Sequence, residues 1–303
     1  MYNELSNKEN NLTITGDTKM ITQDLMNKVT ENVITKMETC GAGWLRSWVG
    51  DSQLPINCET GKAYQGINLF ILLGQEKSSG KWGTYKAWSR LDKQIAKGEK
   101  ATQIIYFKIN KSKTKVDSKG EPVKYPMMRI YYVFNETQTE GYVMETKTYG
   151  DNFSCANADE WINNSGAVIE YNKTAAFYNP NEDKIGMPPK TAFFKTADAT
   201  QEQNFYGTLF HELTHWTGHT SRKDRLIKRA SRQDYAFEEL VAELGACFQS
   251  VHFGIEPAEV NADHTKYLNG WLQALKDDKQ LIFKASAQAN KAIQYLQGLQ
   301  DPA

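Results

Sequence analysis

The segment "HELTHWTGH", residues 211–219, places three histidines and a glutamate within nine positions of a chain that has five histidines in 303 residues. On a helix, residues four apart lie on the same side, so His211 and His215 can direct their ring nitrogens at one cation. Glu212 lies on the flank of that side, where it can act as general base toward water. Apolar residues occupy the opposite side. The pattern predicts a helix that rests on a core and presents a metal site.

A third ligand is needed, because a catalytic zinc site uses three protein ligands and keeps one position open. A third histidine at the metzincin spacing is absent, since that position is Ser221 and His219 comes two residues earlier. The segment "YAFEELVAELGACF" (235–248) offers carboxylates on a following helix. We assign Glu239 as the third ligand. Glu243, one turn later, is assigned to accept the free N–H of a ligand imidazole.

Plainer interpretations of these residues remain open. The histidines can form hydrogen bonds on a surface helix without a metal, and Glu238, Glu239 and Glu243 can form a solvated acidic face. Tyr235 lies one turn before Glu239 and is placed to donate a hydrogen bond to an oxyanion, with core packing as its alternative. If the site is catalytic, Glu212 and Tyr235 carry peptide hydrolysis with Zn²⁺ as cofactor. Two imidazoles and a carboxylate also suit other divalent metals.

The length favours two domains in an α+β chain. We predict a disordered arm over 1–18, an α+β domain over 19–145, and a mainly helical domain with a small sheet over 146–303. In the second domain, "AVIEYN" and "AAFYNP" resemble a strand pair. In the first, the periodicity of "TYKAWSRLDKQIAK" (84–97) favours a helix.

The charge totals conceal two unlike halves. Lys plus Arg and Asp plus Glu are 36 each, but residues 19–140 hold 19 basic and 12 acidic groups, whereas residues 141–303 hold 16 and 21. The four cysteines lack paired spacing, which indicates reduced thiols. We find neither an export signal nor an apolar run of membrane-spanning length, so we expect no membrane association and a cytoplasmic location.

The basic half has a composition typical of single-stranded nucleic-acid binding. From Lys77 to Lys115, eleven Lys/Arg are interleaved with aromatic residues against two acids. Cations can follow the phosphates while aromatic rings stack on unpaired bases. The alternative is that the aromatics form the core and the lysines a solvated surface. The candidate DNA contacts are Tyr64, Asn68, Lys81, Trp82, Tyr85, Lys86, Trp88, Arg90, Lys97 and Lys100.

Several long segments, in order, resemble one known family. They are "PINCETGKAYQGIN" (55–68), "KGEKATQIIYF" (97–107), "YYVFNETQTEG" (131–141), "DKIGMP" (183–188), "YGTLFHELTHWTGH" (206–219), "YAFEELVAELGA" (235–246) and "YLNGWLQAL" (267–275). Together they are similar to the plasmid antirestriction proteins of the ArdC type, whose first domain also resembles the start of certain conjugative DNA primases.

The resemblance implies a single-stranded-DNA-binding domain joined to a zincin-like metallopeptidase domain, in a protein that protects incoming mobile DNA from host restriction. It implies His211, His215 and Glu239 as metal ligands and Glu212 as the catalytic glutamate. A host restriction enzyme or another protein substrate is a further expected partner. The alternative function is an intracellular zinc metallopeptidase whose basic domain recruits a protein substrate. This chain departs from the family pattern at "TYKAW" (84–88) and at Lys223.

Overall fold

The computed structural model describes residues 16–49, 53–116, 118–143, 156–196, 199–226, 232–255 and 264–300. The α+β class expected from the sequence is confirmed. Of the arm predicted at 1–18, residues 1–15 lie outside the described part, while residues 16–18 belong to the first helix. The predicted domain boundary at 145/146 also lies outside the described residues.

The N-terminal half combines helices with one sheet. Its elements are α1 (Gly16–Cys40), α2 (Trp44–Val49), β1 (Ile56–Asn57), α3 (Gly66–Leu73), β2 (Lys81–Gly83), α4 (Tyr85–Arg90), β3 (Thr102–Val116) and β4 (Pro122–Asn135). The sheet has the order β1-β2-β4-β3, with β1 and β2 parallel and the other pairs antiparallel.

Helix α4 is shorter than the periodicity of residues 84–97 predicts. Thr84 caps its start by accepting a hydrogen bond from the backbone N–H of Ala87. The helix ends at Arg90, and Asp92 adopts a positive φ of 56°. A non-glycine residue in the left-handed region interrupts a helix, so the remaining residues up to 97 follow a non-helical path.

The C-terminal half is mainly helical with a small sheet. Its elements are α5 (Ala156–Asn164), β5 (Val168–Glu170), β6 (Phe177–Asn179), β7 (Lys184–Gly186), α6 (Gln201–Thr217), α7 (Arg232–His252), α8 (His264–Asp277) and α9 (Leu281–Gln297). The sheet order is β5-β7-β6. The expected direct pair of β5 and β6 is therefore wrong, because β7 lies between them. Residues 184–186 were missed as a strand because three residues before a proline-rich turn carry little alternating pattern.

One hydrophobic core joins the two halves. Trp44, Trp48 and Phe70 from the N-terminal half share it with residues of α7, α8 and α9, including Leu240 and Trp271. The Trp48 indole N–H donates to the Phe70 carbonyl at 2.9 Å, and the two rings stack 4.7 Å apart. The halves thus pack against each other through buried apolar side chains, as within one folded unit.

Helices α6 and α7 approach closely because a glycine faces the contact. A Cβ atom built at Gly245 would lie 2.4 Å from the Thr214 side chain. Gln249, one turn after Gly245, donates to the Phe210 carbonyl and to Thr214 Oγ1 at 3.2 and 3.1 Å. Trp161 Nε1 in turn donates to Gln249 Oε1 at 3.1 Å. This buried network fixes the two helices relative to each other.

Within the described residues, none of the helices combines the length and the apolar character that crossing a lipid bilayer requires.

We expect Gly245→Ala to lower the free energy of unfolding by about 1–3 kcal/mol, because the new methyl group overlaps Thr214 and forces α6 and α7 apart. Gly270→Ala is the matched control: it lies in α8, where a Cβ would meet Ala236 at 3.9 Å. Alanine should be neutral or stabilising there, by up to about 1 kcal/mol. Chemical denaturation of both variants measures the difference. Equal stability of the two variants would contradict the close contact.

Candidate metal centre

Helix α6 bears two of the candidate ligands and lies in the interior of the C-terminal half. Thr200 caps its start, accepting from the Gln203 backbone N–H while the Gln203 side chain accepts from the Thr200 N–H. Every residue from 205 to 217 is buried. The helix is therefore a central element, and the alternative of a surface helix is wrong.

Three candidate ligand residues from α6 and α7 converge. His211 Nε2 and His215 Nε2 lie 3.1 Å apart. His211 Nε2 lies 3.5 Å from Glu239 Oε2, and His215 Nε2 lies 3.5 Å from Glu239 Oε1. Within the described part of the chain, these three side chains form a buried cluster of metal-ligand type. Tetrahedral zinc bound to nitrogen and oxygen at about 2.0–2.2 Å needs ligand atoms roughly 3.3–3.6 Å apart. One ligand atom from each of the three residues lies within 4.8 Å of the other two, a spacing that fits a divalent cation.

Two further carboxylates contact the other ring nitrogens. Glu243 Oε1 lies 3.0 Å from His211 Nδ1, and Glu238 Oε1 lies 3.0 Å from His215 Nδ1. Such contacts fix the ring orientation and leave Nε2 directed at the cluster. Glu238, Glu239 and Glu243 are 3%, 8% and 5% exposed, so their interpretation as a solvated acidic face is wrong.

Sequence reasoning missed the positioning role of Glu238 and its partner Arg225. The Arg225 guanidinium donates to both oxygens of Glu238, at 2.7 and 2.9 Å, and to the Thr214 carbonyl at 2.7 Å. A signal was available in the sequence. Two buried imidazoles need two separate acceptors for their Nδ1 atoms, and Glu243 can serve only one of them. Glu238, next to Glu239 in the sequence, was therefore the candidate for the second.

The charges around the cluster favour a cation. Glu212 is 8% exposed and joins the three buried glutamates of α7. Burial opposes charge on His211 and His215, but the nearby carboxylates outweigh it and raise the pKa of both rings. Burial likewise raises the pKa of Glu239, yet its contacts with His211 and His215 leave that pKa lowered. Buried carboxylates at this density require positive charge nearby, which a divalent metal supplies.

Tyr235 lies at the margin of the cluster, half-buried, with its hydroxyl 3.2 Å from that of Tyr267. Burial raises the pKa of Tyr235, and hydrogen bonds with Tyr267 and Glu239 raise it further. The phenol therefore stays protonated and remains a hydrogen-bond donor over the whole physiological range. Tyr267, on α8, was not among the predicted site residues.

The structure corrects several of the predicted DNA contacts. Trp82 and Trp88 are each 1% exposed, and Trp88 Nε1 donates to the Phe134 carbonyl at 3.0 Å. Both indoles are core residues with no face available to a base. The Asn68 amide donates to the Ile105 carbonyl at 2.6 Å and accepts from its N–H at 2.8 Å. It therefore completes the hydrogen bonds of β3, the edge strand of the sheet.

Other predicted contacts lie nearer the surface. Arg90 donates to both oxygens of Glu59, at 2.7 and 2.9 Å, and Lys81 lies 3.5 Å from Glu136. Tyr64 is half-buried beside the core cluster of Leu72 and Trp82. The remaining candidates are exposed and are Tyr85, Lys86, Lys97 and Lys100.

Family models match both halves of the chain. The model of the N-terminal domain of the anti-restriction factor ArdC matches residues 23–134, and the zincin-like metallopeptidase model matches residues 156–288. Two solved structures of the antirestriction ArdC protein from plasmid R388 are also similar, each covering 91% of this chain and 98% of that protein. The metal-free form is 36% identical with a TM-score of 0.72. The Mn(II)-bound form is 35% identical with a TM-score of 0.69.

Longer relatives contain a similar segment. Two DNA primases TraC of Escherichia coli are 33% and 34% identical over 290 and 286 residues, which are 88% and 87% of this chain. The chain spans 19% and 26% of their lengths. The uncharacterized protein y4eC of Sinorhizobium fredii is 29% identical over 303 residues, with 95% of this chain and 96% of that protein covered.

The likeness to the R388 protein extends over nearly its whole length, and the chain belongs to the ArdC family of antirestriction proteins.

Proposed function

We propose that the chain binds single-stranded DNA through its basic N-terminal half, holds a zinc ion in its C-terminal half, and protects incoming DNA from host restriction. The observation that supports the metal site is the buried cluster of His211, His215 and Glu239, in which the two Nε2 atoms lie 3.1 Å apart and each lies 3.5 Å from one of the two Glu239 oxygens. Family membership supports the antirestriction role. The excess of basic groups over residues 19–140 supports binding of DNA.

The same site supports hydrolysis of a peptide bond. When bound there, a divalent cation supplies Lewis acidity, polarising a carbonyl group and lowering the pKa of water. Glu212 takes the proton from the attacking water and returns it to the leaving amine as the C–N bond breaks. Tyr235, held protonated, donates a hydrogen bond to the oxygen that gains negative charge. Glu243 and Glu238 keep the imidazoles of His211 and His215 oriented.

The protein substrate in this proposal is a host restriction enzyme or a protein acting with it. The Mn(II)-bound R388 relative supports a divalent metal, and the nitrogen-rich ligand set favours zinc within that class. The basic half would bring single-stranded regions of transferred DNA to the same molecule.

We expect purified protein to bind one equivalent of Zn²⁺, and His211→Ala to lose it, because the remaining imidazole and carboxylate leave the site with two ligands. His219→Ala is the matched control, since the His219 ring contacts Ser221 within its own turn at 2.8 Å. Metal analysis by mass spectrometry, together with the rise in melting temperature on adding ZnCl₂ or MnCl₂, gives the readout. Unchanged metal content in His211→Ala would refute the assignment.

Glu212→Gln should retain the metal and lose hydrolysis of labelled casein by a factor of about 10²–10⁴, because the amide cannot accept the proton of water. The substitution keeps the size of the side chain, so folding and metal content serve as internal controls. Full casein hydrolysis by this variant would contradict the role of Glu212. Plasmid transfer into a restricting host is measured in parallel. Protection that survives the substitution would assign the effect to binding alone.

Binding of oligo(dT) should weaken steeply as salt rises, with log K falling by about 0.7 per decade of salt for each phosphate contacted. Fluorescence anisotropy from low to physiological salt measures the slope, with a duplex of the same length as comparison. Tight binding of a protein partner without any salt-dependent binding of oligo(dT) would favour the alternative, a peptidase whose basic half recruits protein.

A further inference from the structure

The two faces of the β3–β4 hairpin differ in what covers them. On one face, Ile105 and Ile130 pack against Leu25 and Val29 of α1 and against Ile71 of α3. The helices thereby cover Ile105 and Ile130, so this part of the face cannot take part in binding a ligand.

The opposite face of the hairpin carries exposed aromatic rings. At the end of this face nearest the rest of the sheet, Ile104 and Val133 pack against Leu72 and Trp82. Beyond them, Tyr106 and Tyr131 are 42% and 37% exposed. We call these two residues the tyrosine pair.

The tyrosine pair has a geometry that suits stacking. Tyr106 is registered opposite Arg129, and Tyr131 opposite Ile104, so the two tyrosines are diagonal neighbours on one face. Their ring centroids lie 5.8 Å apart with planes at 74°. In an edge-to-face pair neither ring covers both faces of the other, so a flat ligand can still stack on the pair.

The charge of the same strands points to a phosphate-bearing ligand. Residues 102–116 and 122–135 contain six Lys/Arg and no Asp or Glu. Among them, Arg129 is registered opposite Tyr106 on the face of the tyrosine pair, and Lys111 and Lys113 are exposed nearer the hairpin tip. Exposed aromatic rings together with cations on the same strands are a combination suited to unpaired nucleotides, since duplex bases are already stacked on each other.

We propose that the tyrosine pair is the platform on which unpaired bases of single-stranded DNA stack, while Lys111 and Lys113 near the hairpin tip contact the phosphates. This inference rests on the proposed single-strand binding and specifies its surface. It also moves the stacking role from Trp82 and Trp88, which are buried, to side chains that a base can reach.

The test compares the double variant Tyr106→Ala/Tyr131→Ala with the intact chain, using fluorescence anisotropy with labelled oligo(dT) and with an abasic oligomer of equal length. Loss of stacking should weaken oligo(dT) binding at least about tenfold. Binding of the abasic oligomer should change by less than about twofold, because the tyrosines contribute no charge. The salt slope for oligo(dT) should also stay the same. Replacing both tyrosines with phenylalanine should retain the binding.

Tyr132→Ala is the matched control. Tyr132 is 54% exposed on the same strand, but it is registered opposite Gln103, on the other face, and Gln103 Nε2 donates to its hydroxyl at 3.2 Å. Its removal should leave oligo(dT) binding within about twofold. Lys111→Ala/Lys113→Ala should instead reduce the salt slope, since each lost phosphate contact lowers it by about 0.7.

The outcomes separate the platform from the function. If the intact chain binds oligo(dT) and the double tyrosine variant binds it equally well, the platform is wrong and single-strand binding stands. If the intact chain fails to bind oligo(dT) at low salt, both are wrong. If the double variant leaves oligo(dT) binding unchanged but alters the oligomeric state in size-exclusion chromatography with light scattering, the face joins two copies of the chain.

Discussion

The close contact of α6 with α7 is the constraint on which the rest of the C-terminal half depends. Gly245 and Thr214 meet at a distance that no larger side chain would permit, and this brings Glu239 within 3.5 Å of both imidazoles. Each helix holds only part of the ligand set, so the cluster exists only where the backbones converge. Glu238 and Glu243 then fix the rings from the far side.

The sequence predicted the parts of the site that follow from helical spacing. His211, His215, Glu239 and Glu243 occupy i and i+4 positions on two helices, and the described structure brings all four together. Arg225 could not be found in this way, because it lies after α6 in a non-helical segment and reaches Glu238 only through the tertiary fold.

In the N-terminal half, composition was a poor guide to position. A tryptophan beside lysines has the same sequence signature whether its ring faces solvent or the core, and Trp82 and Trp88 face the core. Tyr106 and Tyr131 lie on different strands, and their diagonal proximity depends on the register of β3 with β4. Register is set by pairing over the whole hairpin and is not readable from either strand alone.

The core shared by the two halves has a consequence for how such chains are inherited. Leu240 and Val241 of α7 pack into that core, on the helix that also bears Glu239, so the ligand helix rests partly on Trp44 and Phe70 of the other half. Recombination that replaced one half with that of a relative would bring together two core surfaces whose side chains are not complementary. Selection should therefore preserve the pair as a single cassette, even when it is fused into a much longer polypeptide.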